Sequence, residues 1–186
     1  MSEGGEDGSL AGRLLVASPR LEGRHFRHSV VLLAAHDEEG AMGIVLNRPL
    51  GRRLGGLSVE LSAGPLAEVP LLSGGPVEEE RLALCVWREH LGPGTTAFQF
   101  VFGLPPEKAE AMARNPGVRL RAFLGHAGWE GGQLESELAE GSWAVVGMTP
   151  ETLRGEMDAS LWRRLAKELG DDWRIAAGEP EELEAN

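Results

Sequence analysis

Apolar residues along this chain fall mostly in short runs separated by glycine- and proline-rich punctuation. RLLVAS (13–18) and SVVLLAAH (29–36) are β-branched or continuously apolar over strand lengths, the pattern of buried strands. DEEG follows, then AMGIVLNRP, so residues 29–47 read as a β-hairpin around Asp37–Gly40, halted at Asn47-Arg48-Pro49. Residues 50–72 show no clear period and are left as a short helix or an irregular excursion. SGGP (73–76) is a turn, and RLALCVW (81–87) and FQFVFG (98–103) are strands. PPEKAEAMARNPG opens on proline and stops on Asn-Pro-Gly, as a helix does. VRLRAFLG (118–125) alternates as a half-buried strand, and SWAVVG (142–147) is another. Thr149 caps a helix with Pro150 in its first position. In SLWRRLAKELG (160–170), Leu161, Leu165 and Leu169 form one helical face closed by Gly170.

Strands and helices are mixed and hairpins come early, which predicts an α+β fold rather than a doubly wound parallel sheet. The chain's 186 residues suit one domain, placed at residues 12–178. Residues 1–11 are too poor in apolar groups to order themselves and read as a disordered tail; residues 179–186 read as an acidic tail.

The stretch GHAGWEGGQLESELAEGSW (125–143) reads as a tight glycine loop anchored by Trp129. A helix follows, with Leu134 and Leu138 facing the core. A glycine-rich helix start can cradle phosphate, but Glu130 and Glu135 would repel the anion, and neither Gly-Lys-Ser/Thr nor GxGxxG follows.

The formal charge of −11 is uneven. Residues 13–53 carry about +3, with seven arginines, and the remainder is acidic. Duplex binding rests on a concentrated cationic surface, so nucleic acid is an unfavoured partner. One cysteine, Cys85, excludes an internal disulfide framework, and its apolar neighbours mark a buried, inert thiol. No secretory signal and no membrane-length apolar run is present, which points to the cytoplasm.

Other chemistry is sparse. His25 and His28 would point to opposite faces of an extended segment, so no metal site is assigned. His36 and Asp37 could pair at the hairpin turn, and His126 in its glycine-rich setting is expected to be sterically accessible. No serine has a nucleophile-elbow context.

Four collinear segments resemble the bacterial AlgH/YqgE family: ASPRLEGRHFRHSVVLLAAHDEEGAMGIVLNRP, SGGPVEEERL, GHAGWEGGQLESEL, and SW with its short strand, together covering Arg13 to Gly170. The resemblance implies a single α+β domain whose mixed sheet is bent or forked into a pseudo-barrel flanked by helices. It carries the label of a transcriptional regulator and no particular reaction or cofactor. Many members have a histidine shortly after the Gly-Gly-Pro-Val turn, where this chain reads LCVW around Cys85 and Val86. A step performed by that histidine would be missing here.

The candidate site is one ligand-binding cleft formed by Asn47, Arg48, Gly74, Gly75, His126 and Trp129, because loops at strand ends carry function. Its expected role is regulatory, through a small molecule or a protein partner. The alternatives are an enzyme acting on a nucleotide-like or thiol substrate, and direct DNA binding, which the acidic charge disfavours.

Overall fold

The computed structural model describes residues 8–92 and 95–178. Its centre is a curled mixed sheet that closes into a half-barrel. The strands are β1 (Leu14–Ala17), β2 (Val30–Asp37), β3 (Gly40–Val45), β4 (Pro49–Arg53), β5 (Pro70–Ser73), β6 (Val77–Gly92), β7 (Thr95–Val101), β8 (Val118–Glu130) and β9 (Trp143–Val146). They run in the order β4-β5-β8-β3-β2-β1-β9, with β6 also on β8 and β7 outside β6. β2 and β3 are joined by a short turn and pair antiparallel, as do β1 with β2 and β4 with β5 across longer connections. β5 and β8 pair in parallel, Leu71 to Ala122 through Ser73 to Leu124. That pairing is possible because β6, β7 and α2 (Pro106–Ala113) lie between them in the chain and supply the crossover.

Strands buried on both faces read as unbroken apolar runs, as do β1 and the first half of β2. Leu14, Val16, Val30, Leu32 and Ile44 face a central layer closed by Leu161, Trp162 and Ala166 of α5 (Ala159–Leu169). Leu15, Ala17, Val31, Leu33 and Val45 face an outer layer with Trp129, Trp143 and Leu134 of α3 (Gln133–Ala139). A third layer joins Leu71, Leu84, Val86, Leu120 and Ala122 to Ala109 of α2. Each fully buried Leu or Val stabilises the fold by about 1.5–3 kcal/mol relative to exposure.

The expected hairpin, the helix from Pro106 and the two C-terminal helix starts are all present. Thr149 Oγ1 accepts from Thr152 N–H at the head of α4 (Pro150–Arg154), and Asp158 accepts from Ser160 N–H at the head of α5. The unassigned stretch 50–72 holds β4, a single 3-10 turn at Leu54–Gly56, α1 (Val59–Ser62) and β5. α6 (Asp171–Gly178) continues beyond the helix read to Gly170. Residues 1–7 and 179–186, read as tail, lie outside the described residues. Ser9 and Leu10 are held by hydrogen bonds to His36, and Gly12 N–H donates to Leu33 O.

The glycine stretch departs most from the reading. It is not a loop: β8 runs unbroken through Gly125, His126, Ala127, Gly128 and Trp129, and only Gly131 and Gly132 turn into α3. Residues 123, 127 and 129 would share one face of a regular strand. Here Phe123 belongs to the central layer, but Ala127 and Trp129 to the outer one. Gly125, at φ +73°, makes the switch, a conformation that costs glycine little.

Candidate functional site

Gly125 is also where the sheet forks. Below it β8 pairs with β5, and above it with β3, Gly43 opposite Ala127. Gly74 fills the crotch: its N–H donates to Leu124 O at 2.7 Å and its carbonyl accepts from Val45 N–H at 2.8 Å. The three backbones meet too closely for side chains. A Cβ on Gly74 would lie 2.3 Å from Gly125 O, one on Gly75 2.3 Å from the His126 carbonyl, and one on Gly125 2.4 Å from Gly75 O. Here the glycines serve close backbone approach.

Arg48 joins this junction from β3. Its carbonyl accepts from Ser73 N–H at 2.8 Å, and its guanidinium donates to the carbonyls of Arg27 and Asn47. Asn47 is buried, and its amide is spent internally. Oδ1 accepts from Val30 N–H and Nδ2 donates to His28 O, both at 2.9 Å. This amide therefore positions the loop before β2 against the fork instead of facing outward.

His126 is largely buried, with 19% of its side chain exposed, and its Nδ1 lies 3.8 Å from Glu78 Oε2. The same oxygen accepts from Arg81 at 2.9 Å. Glu78 adopts φ +49° and His28 adopts φ +52°, the two positive values among the described non-glycine residues. Each touches a candidate residue, His126 and Asn47 respectively. Such conformations cost on the order of 1–3 kcal/mol and persist where surrounding structure enforces them. Sequence reasoning missed Glu78; the acidic run directly after Gly-Gly-Pro-Val was the available signal.

Asn47, Arg48, Gly74, Gly75 and His126 are thus brought together, and Trp129 is not. Trp129 packs in the outer layer with Phe26 and Trp143, ring centroids 6.1 and 5.9 Å away. Its indole N–H donates to Glu137 Oε2 at 2.9 Å. That oxygen also accepts from Trp143 at 2.7 Å, and Gln133 donates to Oε1. An open cleft of about 640 Å³ lies elsewhere, between Ser18–Leu21, Glu140–Ser142 and the start of α6, and includes no fork residue. The fork is the better candidate, because the close-packed glycines and the strained Glu78 gather there.

Remaining sequence candidates resolve simply. Burial pushes the Cys85 thiol up to about 12, so it is no thiolate nucleophile at neutral pH. His25 is exposed while His28 stacks on Trp162 at 4.1 Å. Among the described residues no three His, Cys, Asp or Glu side chains gather as a metal site. His36 does not pair with Asp37. It bonds Glu135 and the Leu10 amide, while Asp37 accepts from Glu39 N–H.

The fold is an α+β half-barrel in which β8 forks between β5 and β3 at closely packed glycines. Residues 14–174 match the AlgH-like family model, and the chain belongs to that family. A UPF0301 protein of Streptomyces coelicolor is 37% identical over 97% of both chains, and one of Chlorobium limicola is 34% identical over 91% of this chain and 92% of its own. Among solved structures, the AlgH protein from Pseudomonas aeruginosa superposes with a TM-score of 0.68 at 26% identity, covering 97% of this chain and 98% of its own. A Corynebacterium diphtheriae protein gives 0.67 at 25%, covering 91% and 92%.

Proposed function

We propose that this chain is an intracellular regulatory protein that acts by binding. On this reading residues 12–178 are the binding domain, and its ligand or protein partner engages the fork at Arg48, His126, Glu78 and the Gly74-Gly75 backbone. One observation carries the reading. Motifs from three separate parts of the sequence meet at one point, and the strained Glu78 stands beside it. The guanidinium donates and the Glu78 carboxylate accepts, so the site suits a polar group that carries both donors and acceptors. Asn47 holds the surrounding backbone in register, and Trp129 fixes the opposite face of β8. No helix among the described residues is long and apolar enough to cross a membrane.

The test is a thermal-shift screen of the purified chain against nucleotides, flavins, nicotinamide cofactors, thiols and metals. A specific ligand at about 100 times its dissociation constant adds roughly 2.7 kcal/mol, a rise on the order of 5–11 °C for a domain of this size. The reading expects a hit that Arg48→Ala or His126→Ala removes in proteins that circular dichroism shows to be folded. A flat screen followed by pull-down of a specific protein, weakened by the same changes, supports the partner form. A ligand or partner indifferent to both substitutions overturns the fork as the site. Salt-dependent binding to duplex DNA would overturn the choice of ligand class.

A further inference from the structure

Away from the fork, at the far end of the β2–β3 hairpin, His36 joins three parts of the chain that the sequence keeps far apart. Its side chain is 8% exposed and both ring nitrogens are used. Nδ1 accepts the backbone N–H of Leu10 at 3.0 Å, and Nε2 lies 2.7 Å from Glu135 Oε1 on α3. The Ser9 hydroxyl completes the junction by donating to the His36 carbonyl at 2.9 Å.

The geometry dictates the tautomer. A backbone N–H can only donate, so Nδ1 is unprotonated; a carboxylate can only accept, so Nε2 carries the hydrogen. A second proton has one place to go, Nδ1, where it would face the Leu10 N–H donor to donor at 3.0 Å. Proton uptake therefore strengthens the bond to Glu135 and abolishes the bond to Leu10. The charged groups around the ring sort the same way. Glu135 on α3 contacts Nε2, and its carboxylate is held below its ordinary range by its own backbone N–H and by His36. Asp37, Glu38 and Glu39 on the hairpin turn, and Glu130 at the end of β8, add further negative charge at this end of the sheet. The arm itself, residues 8–12, brings no ionisable side chain.

We infer that His36 is a proton-operated latch on the N-terminal arm: neutral, it holds the Leu10 amide on the hairpin; protonated, it lets that amide go while keeping its grip on α3, and the arm is then held by the hydrogen bonds of the Ser9 hydroxyl and the Gly12 N–H. Leu10 packs against the outer apolar layer that contains Trp129 and Trp143. Release therefore uncovers apolar surface on that side of the sheet, and acid conditions switch the surface this chain offers to a partner. The sign follows from the neutral ring being the holding form. The latch is closed with the ring neutral and open with the ring protonated, so acid favours the open form.

Hydrogen exchange at the Leu10 amide of the full chain, measured by NMR and normalised to intrinsic rates, reads the latch directly. Between about pH 8 and about pH 5, protection at Leu10 is expected to fall roughly tenfold or more, while the amides of β1 and β2 keep theirs. His36→Asn offers Leu10 a carbonyl acceptor that does not titrate, and its protection should be flat with pH. Protection that is constant in the wild type, or that falls equally in His36→Asn, overturns the latch. Glu135→Gln provides a reading that survives a misfolded His36 variant. Without the carboxylate that favours the imidazolium, the release midpoint must move to more acidic pH, and an unmoved midpoint overturns the inference.

Discussion

Removing the Glu137 carboxylate is the sharpest test of how the outer layer is held. Trp129 and Trp143 are 6% and 5% exposed, and their indole N–H groups converge on one oxygen, Glu137 Oε2, at 2.9 and 2.7 Å. In Glu137→Ala both donors lose their acceptor in a nearly dry environment. Each buried donor left unpaired costs about 1–3 kcal/mol. Glu137 sits at the edge of the layer and is itself only partly buried, so water can reach part of the vacated space. A total near 3 kcal/mol is therefore expected, towards the lower half of the two-donor range. At roughly 2–4 °C per kcal/mol for a chain of this length, the melting point should drop by about 6–12 °C. Glu137→Gln keeps one oxygen, which can accept from both indoles, and should lose clearly less than alanine. Circular dichroism melts of the three proteins, with tryptophan emission followed alongside, check the order. Alanine and wild type melting within about 2 °C of each other would refute the double-acceptor argument, as would glutamine proving as damaging as alanine.

Four further outcomes follow from the same geometry. Gly75→Ala places a Cβ 2.3 Å from the His126 carbonyl at a φ of +147°, so the fork must separate; expression as insoluble protein, or a loss above about 3 kcal/mol in urea unfolding, is expected. Asn47→Ala strands the fully buried Val30 N–H and should cost roughly 2–4 kcal/mol in the same assay, which makes it a stability variant and a poor probe of binding. Cys85 should resist a disulfide reagent at about pH 8 in the native protein and react at once in denaturant, because its thiol is buried and pushed up to about 12. Asp158→Ala should lower stability by about 1 kcal/mol at neutral pH through the lost cap. The folded-state pKa of Asp158 is depressed, chiefly by Ser160, so its contribution is complete above the unfolded value and disappears as pH falls through the folded one. Variant and wild type should therefore converge in acid.

Elements governed by local rules were legible. The hairpin of β2 and β3 follows from two apolar runs around a turn, and α5 from leucines four apart closed by Gly170. β4 and β5 were not, because PLGRR is exposed throughout and PLLS is too short to show a period. The glycines of β8 misled for a physical reason. Glycine marks a turn when its φ is needed, but Gly74, Gly75 and Gly125 are also there so that backbones can touch, and sequence cannot tell the two uses apart. At the site, Arg48 and Gly74 do follow strands, but His126 lies within β8 and Trp129, expected in the same cleft, packs in the outer layer. The inward amide of Asn47 and the union of His36 with Glu135, 99 residues apart, depend on tertiary placement that no spacing encodes.

β8 contributes Phe123 to one apolar layer, Leu120 and Ala122 to a second, and Ala127 and Trp129 to the third. No layer can come apart without disturbing this strand, so the chain is wired to melt as one cooperative unit despite having three separate cores. Its calorimetric and van't Hoff enthalpies should agree, and the amides around Gly125 should be the last in the molecule to exchange with solvent.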